Sequence, residues 1–300
     1  MKKSIVLLIT LALIIAISAL IATGLTYIDK LSTDTKKKHM ALQNFVFIQN
    51  AADILAKKKK MFSSASGLEM LFLLPIELKA KDLSLQLSFT SAATGLNPNN
   101  LIKKERKKLK LNPDYILLFD RILQTYDVQN KELFLALLED TLDPDLEERI
   151  PGSEMALYNR RFAQGKIENY QKFRMLLDRY VLLTEDINIY TIPWKKLLSF
   201  YSTKIDFNYI EPDLLRYMLP YIDQQTIQRL TTAKESVFTK WKELGLPKED
   251  IDELKKFNIA FYVPVIRGEL RFREGGEATK ASFVYDIDKK KVVDIEYQTR

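Results

Sequence analysis

The chain has 300 residues and a formal net charge of +7, with 46 Lys and Arg against 39 Asp and Glu. It contains no Cys and a single His, His39. Disulfide frameworks, CxxC metal or redox sites, His-based metal centres and Ser-His-Asp triads are therefore excluded, and most hydrolase and oxidoreductase chemistries go with them.

Met1-Lys2-Lys3-Ser4 opens the chain, and a nearly unbroken apolar run from Ile5 to Leu25 follows, with no charge until Asp29. At about 1.5 Å of rise per residue such a run crosses a hydrocarbon core of roughly 30 Å. A cleavable secretory signal has a shorter apolar core of about 7–15 residues; Ala19 to Thr23 nevertheless offers small residues as an alternative cleavage site. Met40, Leu42, Phe45, Ile48, Ala52 and Leu55 continue at helical spacing, with no Pro before Pro75. The spacing predicts one helix from about Ile5 to Lys58, apolar all round at first and one-sided later. The alternative is a short span, a loop at Ser32 to Thr35 and a separate helix. Lys2, Lys3 and the α-amino group favour the N-terminus inside and the domain outside, while Lys36, Lys37 and Lys38 argue the other way. The exposed stripe Phe45, Ile48, Ala52 and Leu55 is the candidate partner interface, part of it reserved for the protein's own sheet.

Residues 61–82 are less regular, with Ser63, Ser64, Ser66, Gly67 and Pro75. Leu83, Leu85, Leu87 and Phe89 alternate with polar residues, the period of a half-buried strand, and Gly95 to Asn100 reads as the turn that closes it. From Pro113 to about Leu254 the pattern is helical, with segments at Pro113, around Leu133 to Leu138, Glu154 to Phe162, Tyr170 to Leu183 and Pro212 to Leu219. Strand period returns in Ile259, Phe261 and Val263, then Leu270 and Phe272. Ala281 to Ile287 and Val292 to Tyr297 flank a turn at Asp288 to Lys291. A strand before and strands after a helical block predict one antiparallel sheet with an inserted helical subdomain, an α+β fold.

The densest chemistry lies between Glu139 and Glu154. Counting Asp143 as first, Asp145 is third, Glu147 fifth and Glu154 twelfth, the ligand spacing of an EF-hand loop; Glu148 stands at the sixth place, where that loop needs glycine, so this is not an EF-hand. Asp140, Asp143, Asp145 and Glu154 are the candidate ligands of a calcium-type oxygen cage. The same residues also suit a solvated acidic loop with an Asp capping a helix, and both readings stand at this point.

Lys57 to Lys60 and Lys103, Lys104, Arg106, Lys107 and Lys108 form basic runs that suit solvated faces, anionic lipid or nucleic acid. Asp206 to Leu230 resembles a helix-hairpin-helix DNA module but lacks its Gly-rich hairpin, so nucleic acid is not an expected partner. Trp194, Phe200, Tyr201 and Trp241 read as core or partner surface.

Asp140-Thr141-Leu142-Asp143-Pro144-Asp145, followed by Arg149, Gly152, Glu154 and Tyr158, resembles the acidic signature of K-type minor pseudopilins of the type II secretion system. Gly95 to Leu101 resembles that family's Asn-rich turn, and Asp206 to Ile210 with Pro212 to Leu215 its later helical motif. The resemblance covers essentially the whole chain. It implies a pilin-like long N-terminal helix packed on a small antiparallel sheet with a large inserted all-helical subdomain. The implied division is 1–28 membrane helix or leader, 29–100 remaining helix and first strand, 101–256 helical insert, and 257–300 terminal strands. It also implies a non-enzymatic subunit at the tip of a periplasmic pseudopilus. Its partners would be I- and J-type minor pseudopilins and the inner-membrane secretion platform. Residues 5–25 would be a single pass in the inner membrane, with a cytoplasmic N-terminus and a periplasmic domain. Processing would fall after Ser4, where family leaders usually have Gly, and Ile5 would become the first residue; Ile9, then fifth, fits a K-type subunit, which lacks the Glu found there in other pilins. Calcium would bind the acidic signature, which carries Thr141 in place of the family's Trp and Met155 in place of a frequent second acid. The alternative is a membrane-anchored DNA-uptake or anionic-lipid-binding module of a pilus-like system that uses the basic runs.

Overall fold

The computed structural model describes residues 35, 38–73, 75–80, 83–105, 108–274 and 277–299. Ser4, Ile5 and the apolar run 5–25 lie outside the described residues, as does the join between that run and the following helix. Among the described residues no helix is long and apolar enough to cross a membrane.

Helix α1, residues 38–57, is amphipathic. Met40, Asn44, Ile48, Ala51, Ala52 and Leu55 are buried along one face, at the three- and four-residue steps that align side chains on a helix. They pack on Leu85, Leu87, Phe89, Ile266, Leu270, Phe272, Ala281 and Phe283 of a sheet. The Phe47 and Phe272 rings lie 5.4 Å apart, and the buried Asn44 amide donates to Thr279 Oγ1 at 3.0 Å. The expected partner stripe is corrected here. Ile48, Ala52 and Leu55 are 1%, 8% and 3% exposed and belong to the core; of that set only Phe45 is free, beside Leu42, Val46 and Ile54.

The sheet has five antiparallel strands in the order β1-β2-β7-β8-β9: β1 Ile76–Ala80, β2 Leu83–Ser91, β7 Val265–Glu274, β8 Glu277–Asp286 and β9 Lys291–Thr299. Residues 61–82, irregular by sequence, supply the short helix α2, Ala65–Leu73, and the edge strand β1. Strand β1 is exposed along its whole length, so its weak apolar alternation marks no core face. In the centre, Phe89 of β2 pairs with Gly268 of β7, which pairs with Phe283 of β8. A Cβ at Gly268 would stand 2.3 Å from the Phe283 ring, so glycine is what lets the ring lie across β7.

The chain between β2 and β7 forms the inserted subdomain. It holds α3 Pro113–Thr125, α4 Lys131–Leu142, α5 Met155–Tyr158, α6 Tyr170–Thr184, α7 Trp194–Leu197, α8 Pro212–Met218, α9 Gln224–Thr231 and α10 Lys248–Leu254. It is not the all-helical unit expected, because β3, Ile102–Glu105, pairs antiparallel with β4, Lys108–Leu111. Ile259–Ala260 (β6) pairs in parallel with Ile205–Asp206 (β5), so the alternation at Ile259, Phe261 and Val263 belongs to the insert's own small sheet, and the main sheet resumes at Val265. The subdomain core centres on Trp194, packed within 6.2 Å of Phe119, 5.6 Å of Phe134 and 5.2 Å of Phe173, with its indole N–H donating to Ile189 O at 2.9 Å. Trp194 and Phe200 are thus core, whereas Tyr201 is half-buried with its hydroxyl on Asp294.

Two side-chain joints hold the insert. Asn99 pairs with the backbone of Ile167, accepting from its N–H at 2.7 Å and donating to its C=O at 2.9 Å, while the Asn97 and Asn100 amides donate to Ser202 O and Thr203 O at 2.8 Å. Asp206 accepts from Asn208 N and Val263 N, both at 3.1 Å. The insert leaves the sheet where Ser91 faces Ile266 and Val265 faces Asp286. Lys59, just past α1, pairs with Asp288 at 2.9 Å beyond that same strand end, whereas Asn44 bonds Thr279 towards the other. The N-terminal end of α1 therefore lies at the sheet end opposite the subdomain.

Candidate functional site

Helix α4 is capped by Asn130, whose side chain accepts from Leu133 N at 3.0 Å, and it ends where Asp143 N bonds Glu139 O and Pro144 has no N–H to continue the ladder. Its last turn presents Glu139, Asp140 and Asp143 on one side. The chain then folds back over them. Arg149 reaches Glu139 Oε2 through Nε at 2.9 Å and Asp143 Oδ2 through Nη1 at 2.6 Å, and Nη1 also pairs with Asp140 Oδ1. Arg149 N donates to Asp140 Oδ2 at 3.1 Å, and Ser153 Oγ bonds the same oxygen. Gly152, at φ +93°, makes the return; its N–H donates to Glu148 Oε1 at 3.0 Å and its C=O accepts from Arg179 Nε at 3.0 Å. The Arg179 guanidinium also lies 3.9 Å from the centre of the Tyr158 ring.

Glu154 caps α5, accepting from Ala156 N at 2.9 Å through Oε1, and its Oε2 accepts from Gln164 Nε2 at 2.8 Å. The same Gln164 nitrogen donates to the backbone carbonyl of Asp145. The Asp145 carboxylate is exposed and accepts from Glu147 N at 3.0 Å.

Asp140 and Glu154 are fully buried, Asp143 is 4% exposed and Glu139 8%. Burial raises the carboxyl pKa of Glu139, opposed by Arg149, of Asp143, opposed by its hydrogen bond to Arg149, and of Glu154, opposed by Ala156 N–H and Gln164. Burial acts to lower the Arg149 pKa, but hydrogen bonds to Asp140 and Asp143 carry it above its ordinary value. One guanidinium thus faces the three acids Glu139, Asp140 and Asp143, while among the described residues Glu154 has no cationic partner and Asp143 Oδ1 is buried with no hydrogen-bond partner.

Of the residues singled out by spacing, Asp140 and Asp143 meet on Arg149, Glu154 meets Gln164, and the Asp145 side chain turns to solvent. Among the described residues no three Asp, Glu or His side chains converge closely enough to hold an ion by themselves. The oxygens gathered here are carboxylate and carbonyl, the donor types a hard divalent cation takes, but Arg149 already holds Glu139, Asp140 and Asp143. Glu139, Ser153 and Gln164 were not legible as site residues. Glu139 sits four residues before Asp143 on a helix, which places the two on one face; no signal marked Ser153 or Gln164.

A second feature is apolar surface. On α1, Leu42, Phe45, Val46 and Ile54 are 45–66% exposed, and Met70 and Leu73 of α2 and Ile76 and Leu78 of β1 are also open.

No family model and no curated protein matches the chain. Among solved structures, it is similar to a chain of the GspK-GspI-GspJ complex from the enterotoxigenic Escherichia coli type 2 secretion system. The TM-score is 0.54 and the identity 10%, over 88% of this chain and 99% of that one. At that identity the likeness is one of fold: the α+β pilin-like arrangement expected from the resemblance is present, helix, antiparallel sheet and helical insert included.

Proposed function

We propose that this chain is a K-type minor pseudopilin at the tip of a periplasmic pseudopilus, taking part in type II protein secretion as an assembly subunit and not as a catalyst. The observation that carries the reading is the position of the insert. It is set between the two strands β2 and β7, at the sheet end opposite the N-terminal end of α1, in a chain whose fold matches nearly all of one from a GspK-GspI-GspJ complex. A bulky unit at that end leaves no room for a further subunit stacked above it. On this reading residues 5–25 anchor the protein in the inner membrane with a cytoplasmic N-terminus, trimming falls between Ser4 and Ile5, and the domain is periplasmic.

The I- and J-type subunits would cover Leu42, Phe45, Val46 and Ile54, since an apolar stripe on a helix leaving a membrane needs a surface against it. Calcium would bind the acidic loop through some of Asp140, Asp143, Asp145 and Glu154. Phe45→Glu tests the reading: the side chain is 45% exposed, so the variant should melt as the parent does yet co-purify poorly with other pseudopilins and lower secretion. Normal secretion in cells deleted for the gene would refute the assignment.

A further inference from the structure

We propose that the hairpin β3–β4 of the insert is a contact for an anionic membrane surface, with Leu109 and Leu111 entering the lipid interface and Lys103 and Lys110 meeting headgroup phosphates. By sequence alone this basic run suits a solvated face, anionic lipid or nucleic acid alike; its folding into a two-stranded ribbon separates the three. From Lys103 to Lys110 the chain carries six cations against the one acid Glu105, so the partner is anionic. The register sets Ile102 opposite Leu111 and Lys103 opposite Lys110. Residues opposite one another share a face of a ribbon, and successive residues of a strand alternate between faces. Ile102, Leu109 and Leu111 therefore lie on one face, and Lys103 and Lys110 on the other. Leu109 is 44% exposed and Leu111 41%, and both lysines are exposed.

The other two readings use one face and waste the second. A solvated ribbon gains nothing from leucines held in water. Nucleic acid would take the basic face and leave the leucines in water, and residues 101–111 include no aromatic side chain on which a base could stack. A membrane interface uses both faces. Apolar side chains sink to the boundary between headgroups and acyl chains, while lysines on the polar face stay at the level of the phosphates. Like charges directly opposite weaken a ribbon, and a phosphate shared by Lys103 and Lys110 turns that repulsion into attraction. The insert lies at the sheet end away from the N-terminal end of α1, so on the pseudopilus reading the membrane touched is not the one that holds the anchor. The inference itself stands on the hairpin and does not depend on that reading.

The test uses the full-length chain in phosphatidylcholine nanodiscs, floated with vesicles of phosphatidylcholine alone or of phosphatidylcholine with phosphatidylglycerol. The chain should bind the anionic vesicles about tenfold or more tighter than the neutral ones, and more weakly as salt is raised. Lys103→Gln combined with Lys110→Gln should weaken that binding about tenfold. Leu109→Ser combined with Leu111→Ser keeps every charge and should weaken it to a similar degree. Melting curves show whether each variant is folded, and if one pair of changes prevents folding the other carries the test. Equal binding to both kinds of vesicle, or binding to the anionic ones that neither pair of changes weakens, would overturn the proposal. Tighter binding to duplex DNA than to anionic vesicles, insensitive to the leucine changes, would overturn it in favour of nucleic acid.

Discussion

Asp206 couples the stability of the joint between insert and sheet to pH. Its side chain is 1% exposed and holds two backbone N–H groups, Asn208 and Val263, in the place where the chain returns to β7. Burial pushes its pKa up from 3.8 to about 6, against the opposing pull of those N–H donors and of Lys234. The folded protein therefore holds the proton more tightly than the unfolded chain. This stabilisation is fully present below about pH 3.8 and is lost as pH rises through about 6. A shift of about two units corresponds to about 3 kcal/mol. Asp206→Asn removes the titration; the amide accepts one N–H and turns its own NH2 to the other, a cost of about 1–3 kcal/mol that does not vary with pH. Urea unfolding of parent and variant between pH 4 and 7 measures the difference. The variant should gain on the parent by up to about 3 kcal/mol over that range. Glu139, Asp143 and Glu154, also raised by burial, act in the same direction in both proteins and cancel in the comparison. A difference in stability that is flat from pH 4 to 7 would refute the argument.

Gly268→Ala should destabilise by about 1–3 kcal/mol, as overpacking does, because its Cβ meets the Phe283 ring at 2.3 Å; denaturant midpoints check it, and Phe283→Ala in the same chain should recover part of the loss of the glycine change. Asn99→Ala removes both bonds to the Ile167 backbone and should cost about 1–3 kcal/mol, read from the same midpoints, with faster amide exchange at Ile167.

Much of the architecture was legible in local pattern. The two-residue alternation of Leu85, Leu87 and Phe89 lands on a sheet face, and the three- and four-residue steps of Met40, Ile48 and Leu55 land on the helix face above it, because those periods are properties of the backbone itself. The acidic loop was legible as a cluster, since Pro144 must end a helix and Gly152 turns the chain back. Which strand each short segment joins was not. Ile76–Ala80 enters the main sheet as an exposed edge, while the better alternating Ile259–Ala260 does not enter it at all. Strand β1 folds back on its sequence neighbour β2, but Ile205 meets Ile259 and β2 meets β7 only across long stretches of chain, and local residues do not encode such distant pairings.

By itself, then, the sequence determined the periods, the turns, the absence of thiol and imidazole chemistry, and the concentration of acids after α4. Only the tertiary structure decided how those parts face one another. Leu42 lies six residues before Ile48, roughly 120° round the helix, and is solvent-exposed while Ile48 is core, because one side alone of α1 meets the sheet. Likewise Asp140 and Glu154 are equal acids in the sequence. The fold gives Arg149 to Asp140 and leaves Glu154 with a neutral amide, because the arginine's reach and the loop's return at Gly152 set which buried charge finds a partner.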